Sequence, residues 1–556
     1  MISFRTGALG VLIMGLAGLA PSYSTEGPAM SSATPIVDTT TGRLEGSAEN
    51  SLHVFRGIPY AAPPVGALRW KPPAAVSAWS GVRKATEFGP ACLQPKPKLS
   101  NIYEGKPMPQ SEDCLTLNVW TPKHARNAPV FFWIYGGALW GGASRDPLYD
   151  GASLAARGVV VVSINYRLGP LGWLAHPALS AESPDGISGN YGLMDQIAAL
   201  NWVKANITAF GGDPANVTIA GESAGGLSVM YLMASPQARG LFAKAIAESA
   251  YMISMPALKE SQYGAPSAEA SGLQLATALH APDLAALRAM DANTLTQTAS
   301  AVGFAPWITV DGHLVPHQLV DTFGKGEQAP VPLLAGFNSG EIRSLRVLAP
   351  AVPASAAVYE STIRERYGDL ADAFLRQYPG NNLEQSIIAT TRDALYGWTA
   401  QELVRKQAAI KQPAYLYFFD HGYPAADTAG LHGFHASELP YVFGNFDGTP
   451  PLWPKVPDTS HERKLSDAMI DYWTSFARTG KPIAKGQPDW PIFASSKSYM
   501  AFTDAPQPSH DLLPGMYELV NEVVCRRRAD GKQGWNWNVG IASPQLPEWT
   551  AACTSP

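Results

Sequence analysis

The sequence predicts an α/β protein organised on a large, mostly parallel central sheet, flanked by helices and interrupted by long loop insertions. Three observations predict it. Short runs rich in valine, isoleucine and other apolar residues recur at 130–135, 159–164, 217–220, 245–247, 332–336 and 414–419. They are continuously apolar, as expected of strands buried on both faces. Helical spacing stands among them, clearest over 193–210, where Leu193, Ile197, Leu200, Val203 and Ile207 share a face. Strands alternating with helices give a wound sheet. The 47 prolines and 51 glycines mark turns and long loops rather than disorder, because aromatic residues occur throughout.

With 46% apolar and 16% charged residues, the 556-residue chain can bury a sizeable core. Large α/β proteins exceed average domain length, so residues 25–556 read as one domain. A net charge of −5 carries no nucleic-acid footprint, and there is no internal repeat or low-complexity tract. At the start, Arg5 precedes an uncharged apolar run from Gly7 to Ala20 and then Pro21-Ser22-Tyr23-Ser24. This is the pattern of a secretory signal peptide, residues 1–24, too short for a membrane span and followed by no anchoring cysteine. The expectation is a secreted or periplasmic protein without a stable membrane anchor. Four cysteines allow three pairings; Cys92 with Cys114 and Cys525 with Cys553 is the sequence-local choice. No His/Cys cluster has metal-ligand spacing.

Taken in order, 54–94 is turn-rich, and 111–120 ends in an alternating strand. The strand at 130–135 runs into Gly136-Gly137-Ala138-Leu139. The strand at 217–220 runs into Ala220-Gly221-Glu222-Ser223-Ala224-Gly225-Gly226, and 227–233 reads as a helix closing near Ser235-Pro236. Strand, Gly-x-Ser-x-Gly and helix form the nucleophile-elbow signature. Its turn is so tight that glycine is needed on both sides, and it aims free N–H groups of the helix N-terminus at the Ser223 hydroxyl. A serine hydroxyl needs a base to take its proton and a carboxylate to orient that base. In this architecture both follow the serine, acid before histidine. Downstream, 333–341 is a strand entering the polar turn Asn338-Ser339-Gly340-Glu341, while Asp311 lies in the turn Val310-Asp311-Gly312. The strand at 414–419 leads into Leu431-His432-Gly433-Phe434-His435-Ala436-Ser437-Glu438, where two histidines compete.

Gly57-Ile58-Pro59-Tyr60-Ala61, Glu112-Asp113-Cys114-Leu115, Asn165-Tyr166-Arg167-Leu168-Gly169 and Gly221 to Gly226, in this order, resemble the type-B carboxylesterases. This is the α/β-hydrolase family that includes the cholinesterases, and the likeness runs from about residue 54 to about 491. The resemblance implies an α/β-hydrolase fold and serine carboxylic-ester hydrolysis without metal or organic cofactor. It makes Ser223 the nucleophile, Glu341 the acid and His435 the base, leaving His432 as a loop residue or a donor in the pocket wall. The oxyanion donors become the N–H groups of Gly137, Ala138 and Ala224. Three positions depart from the family pattern: Ala138 and Ala436 stand where glycine is usual, and Gly340 where an acidic residue is usual. Arg69 with Glu112 and Arg167 with Asp195 resemble the family's buried ion pairs. Ser249 matches a serine near the triad, and Glu222 is either an electrostatic partner of the imidazole or a scaffold carboxylate.

The loop from Cys92 to Cys114 carries Lys96, Lys98, Lys106 and Tyr103 but no tryptophan, so it lacks the aromatic wall of a choline-ester site. With Arg145, Arg343 and Arg346 these lysines suggest a mouth attracting a small-molecule ester that bears free carboxylates. Exported relatives that cut tricarballylate esters from fumonisin toxins would fit such a mouth. The alternatives are ordinary solvated surface charges on a lipase or broad aryl or alkyl esterase, and a non-catalytic adhesion-like homologue. Retention of Ser223, Glu341 and His435 argues against the last. No signal sets an oligomeric state, and residues 525–556 have no family counterpart.

Overall fold

The computed structural model describes residues 34–97 and 100–553. The expected signal peptide and Lys98 lie outside the described residues. The centre is an eleven-stranded sheet. Its strands in chain order are β1 (Ser47–Glu49), β2 (Leu52–Pro59), β3 (Thr116–Pro122), β4 (Ala128–Ile134), β5 (Val160–Ile164), β6 (Gly212–Glu222), β7 (Lys244–Glu248), β8 (Leu333–Asn338), β9 (Ala414–Phe419), β10 (Ser498–Phe502) and β11 (Pro506–His510). Across the sheet they stand 11-10-9-8-7-6-4-5-3-2-1. Strands β4 to β10 run parallel, and antiparallel strands close both edges.

The continuous apolar runs have a two-sided cause. On β4, Val130, Phe132 and Ile134 enter the core on one face, while Phe131 and Trp133 enter the core on the other. On β5, Val160, Val162 and Ile164 divide from Val161 in the same way. Each such side chain contributes roughly 1.5–3 kcal/mol by leaving water. Helix α1 (Tyr191–Asn206) and helix α2 (Ala224–Ala234) cover the first face. Helix α5 (Ser460–Thr479) covers the second through Leu465, Met469, Trp473 and Phe476. Between them in sequence come the short α3 (Glu341–Ser344) and α4 (Trp398–Ala409).

Four strands of the central sheet were not evident from the sequence, the three-residue edge strand β1 among them. In β2, Gly57 sits at φ +67° where the pairing with β3 shifts register, so a turn-like Gly-Ile-Pro stretch is a bulged strand. Strand β10 buries only Met500 and Phe502, and the edge strand β11 is largely polar, so neither carries a continuous buried run. Both expected disulfides form, Cys92–Cys114 and Cys525–Cys553. Both expected ion pairs form bidentately. Arg69 Nε lies 2.6 Å from Glu112 Oε1, and Arg167 Nη2 lies 2.7 Å from Asp195 Oδ1.

The C-terminal segment is structural. Helix α6 (Met516–Asp530) leads to Trp535, fully buried against Trp398 with ring centroids 6.1 Å apart. Asn536 Nδ2 donates to the Met252 carbonyl at 3.0 Å, so the tail braces the loop that follows β7. Among the described residues, no helix is long and apolar enough to cross a membrane.

Candidate active site

Strand β6 delivers the chain to Ser223 and α2 takes it away. Ser223 adopts φ 57°, ψ −120°, a conformation that costs a non-glycine residue about 1–3 kcal/mol and persists where the surroundings enforce it. They do: a Cβ on Gly225 would lie 2.0 Å from the Ile134 carbonyl oxygen, and one on Gly221 2.5 Å from the Gly225 carbonyl carbon. The Ser223 N–H donates to the Glu248 carbonyl at 2.9 Å, tying the elbow to β7. Between buried Glu222 and Ala224, Ser223 is partly exposed.

Past the end of β4, Gly137, Ala138 and Leu139 take φ of 111°, 54° and 61° in succession. This left-handed run bends the chain around the serine, with Gly136 so close that an added Cβ would sit 3.0 Å from Ser223 Cβ. Ala138, standing where glycine is usual, holds a left-handed φ of 54° at a cost glycine would not incur. Among the described residues, the N–H groups of Gly137, Ala138 and Ala224 have no protein acceptor. Unpaired, fixed donors grouped beside a serine are what a developing oxyanion requires.

The residues expected as acid and base meet. His435 Nδ1 lies 2.5 Å from Glu341 Oε2, both residues buried and 94 positions apart. The second oxygen of Glu341 accepts from the Asn338 N–H at 2.8 Å, which fixes the carboxylate plane. Gly340 has a steric cause. Its N–H donates to the Gly433 carbonyl at 2.7 Å, and a Cβ there would lie 2.6 Å from the Leu431 carbonyl oxygen. The acid and base loops thus touch backbone to backbone. Ala436, at φ 66°, bends the chain immediately after the imidazole.

On its other side the imidazole faces Glu222, with Nε2 3.1 Å from Oε1 but not in hydrogen-bonding geometry. Among the described residues no hydrogen bond joins the Ser223 hydroxyl to the imidazole. Glu222 belongs to a buried group with Glu248 and Glu438. Burial first, then the charges of Glu341 and Glu248, raises Glu222 well above the usual carboxylate range. Burial raises Glu248 to about 8, against the hydrogen bond from Trp473 Nε1 at 3.0 Å. Burial likewise raises Glu438, whose Oε2 accepts from Asn338 Nδ2. Burial thus opposes ionisation of all three carboxyls. Ser249, strained at φ 45°, donates its N–H to the Gly336 carbonyl at 2.9 Å and keeps its hydroxyl buried.

The expected mouth residues divide. His432 is not a pocket-wall donor: Nδ1 is 2.7 Å from Asp427 Oδ1 and Nε2 3.2 Å from Asp420 Oδ1, so both nitrogens are committed. The Asp420 hydrogen bond, joined by Asp427, raises its pKa. Arg145 donates to the Gly89 carbonyl at 3.2 Å over the Phe88 ring, and Arg343 reaches the Gly430 carbonyl at 3.5 Å. Neither guanidinium makes a polar contact with Ser223, His435 or Glu341 among the described residues. Asp311, the other sequence candidate for the acid, binds Asn190 and the Val315 N–H away from the imidazole. Two contacts carried no sequence signal: Tyr103 OH lies 3.1 Å from the His435 carbonyl, and the Tyr396 ring packs 5.4 Å from the imidazole. Beyond the loop after β7, a cleft of about 670 Å³ is walled by Phe304, Trp307, Tyr263 and Trp537. Phe304 lies edge-on to Trp140, which follows the oxyanion segment.

Comparison with known proteins agrees with this geometry. The model of the carboxylesterase family matches residues 33–518, further on both sides than the motifs alone indicate. The chain is 38% identical over 482 residues to a fumonisin B1 esterase from Sphingopyxis macrogoltabida, covering 84% of this chain and 85% of that one. It is also 38% identical over 470 residues to a para-nitrobenzyl esterase from Bacillus subtilis (strain 168), covering 82% and 92%. A solved PNB esterase superposes with a TM-score of 0.76 at 34% identity, over 87% of this chain and 99% of its own. The sheet order, the elbow and these likenesses together make the chain a member of the carboxylesterase family, a carboxylic-ester hydrolase on the α/β-hydrolase fold.

Proposed function

We propose that the chain, as a single catalytic domain behind a cleaved leader at 1–24, is an exported esterase using a Ser223–His435–Glu341 triad. The observation that carries this reading is the 2.5 Å contact between His435 and Glu341 at the loops facing a strained, partly exposed Ser223. Ser223 Oγ attacks the ester carbonyl carbon, and its proton passes to His435 Nε2. Glu341 holds the opposite tautomer with Nδ1 protonated and stabilises the imidazolium. The carbonyl oxygen becomes an oxyanion facing the N–H groups of Gly137, Ala138 and Ala224, each donor lowering the barrier by roughly 3–4 kcal/mol. His435 returns the proton to the departing alcohol, leaving an acyl-serine. Water, deprotonated by the same imidazole, then releases the acid and restores the serine. Serine–imidazole contacts that are loose without substrate commonly tighten with it. Glu222, its ionisation opposed by burial, lies 3.1 Å from Nε2 and faces the imidazolium as it forms.

The substrate class is an ester bearing free carboxylates. The support is the relative that acts on fumonisin B1 together with Arg145 and Arg343 beside the base and oxyanion loops. A broad aryl or alkyl esterase is the second reading, favoured by the equal identity to a para-nitrobenzyl esterase. A panel of tricarballylate esters and their uncharged isosteres decides between them. The first reading expects kcat/KM at least tenfold higher for the polyacid esters, and a loss of that preference in Arg145→Gln/Arg343→Gln. Equal kcat/KM for charged and neutral esters refutes it.

A further inference from the structure

Tyr103 stands in the middle of the loop closed by Cys92–Cys114, yet its phenol ends between the two loops that carry the acid and the base. Its oxygen lies 2.6 Å from Ser344 Oγ, on the same short helix as Glu341, and 3.1 Å from the His435 carbonyl oxygen. We infer that Tyr103 is a positioning residue: it ties the helix bearing the acid to the backbone of the base and so holds the two in register. The inference rests on the roles proposed above for Glu341 and His435.

The phenol carries one proton for two acceptors, Ser344 Oγ at 2.6 Å and the His435 carbonyl at 3.1 Å, and the Ser344 hydroxyl in turn donates to the Glu341 carbonyl at 3.4 Å. Among the described residues the His435 carbonyl accepts from no backbone N–H, so the phenol is its donor. A buried acceptor without a donor is costly, which makes this contact hold the loop and not merely touch it. The ring adds to the hold. It lies edge-on to the imidazole at 6.2 Å and to Trp453 at 5.8 Å, and Trp453 packs on Phe434 at 4.8 Å. Tyr396 lies 5.4 Å from the imidazole as a second aromatic neighbour. Burial keeps the Tyr103 phenol protonated far above its usual pKa, so the donor is present at every working pH.

The test is Tyr103→Phe, which removes one oxygen and retains the ring. With p-nitrophenyl acetate, kcat should fall about tenfold, the worth of one hydrogen bond to a buried group, with KM unchanged. Phosphonate labelling of Ser223 should slow in proportion and still reach one label per chain. Ser344→Ala should cost about threefold alone and less than a further twofold in the Tyr103→Phe background, because both act through one clamp. Wild-type kcat in Tyr103→Phe, or independent effects of the two changes, overturns the inference while full labelling leaves the triad standing. A wild-type chain that takes no label at Ser223 instead removes the triad on which the inference rests.

Discussion

Replacing Glu341 by glutamine keeps shape and volume while removing the charge next to the base. With Nδ1 and Oε2 2.5 Å apart, the charge centres of imidazolium and carboxylate stand about 4 Å apart. At an effective dielectric of about 20 their attraction is about 4 kcal/mol, roughly a thousandfold in rate. The hydrogen bonding adds a second loss. The Asn338 N–H points at Oε1 from 2.8 Å, so the amide must turn its carbonyl there and present its NH2 to Nδ1. Nδ1 must then accept, which moves the imidazole proton to Nε2, the nitrogen that should take the serine proton. Turnover of a short p-nitrophenyl ester, followed by release of p-nitrophenol, should therefore slow by roughly three to four orders of magnitude, while KM stays within about threefold. Circular dichroism should show an unchanged fold. Turnover within tenfold of wild type would refute both the acid assignment and the tautomer reasoning.

Three other outcomes follow from the same geometry. Glu248 keeps its proton in the folded state up to about pH 8 and loses it near 4.5 when unfolded, so the folded state gives up stability as pH rises between those values. Glu248→Gln keeps the bond from Trp473 and cannot ionise; urea unfolding should show it gaining on wild type by a few kcal/mol between pH 5 and pH 8, and a pH-independent difference would count against the burial argument. Ala138→Gly relieves a left-handed alanine at φ 54°, and should leave Tm unchanged or raised by a few degrees while slowing turnover two- to fivefold through a looser oxyanion loop; a Tm drop above about 5 °C would contradict the strain assignment. Arg167→Met leaves Asp195 buried and unpaired and should destabilise by about 3–5 kcal/mol, read as a lowered denaturation midpoint, whereas a near-neutral effect would show that water reaches the pair.

The nucleophile elbow was legible because sterics leave so little choice there: only glycine fits at 221 and 225, and the strand and helix beside it have unmistakable periods. The inner strands were legible for a related reason, since burial on both faces writes a run with no polar gaps. What escaped had its cause elsewhere in the chain. Strand β2 is bulged at Gly57, and its glycine and proline look like a turn until β3 is seen beside it. His432 and His435 stand three residues apart in one loop; the resemblance favours His435, and the physical reason lies in the carboxylate each meets, the nearby Asp420 and Asp427 for the first and Glu341, 94 positions away, for the second. Tyr103 meets His435 across 332 positions, with nothing local to mark it. The buried group of Glu222, Glu248 and Glu438 comes from three separate strands and loops, so its shared burial exists only once the sheet is assembled.

The central claim is that Ser223 carries the acyl group. Rapid quenching with a slowly hydrolysed ester, followed by intact mass and peptide mapping, tests it most directly. One acyl mass per chain on the peptide containing Ser223, lost in Ser223→Ala together with turnover, is the predicted result. Turnover that persists in Ser223→Ala, or an acyl group trapped on another residue, would contradict it.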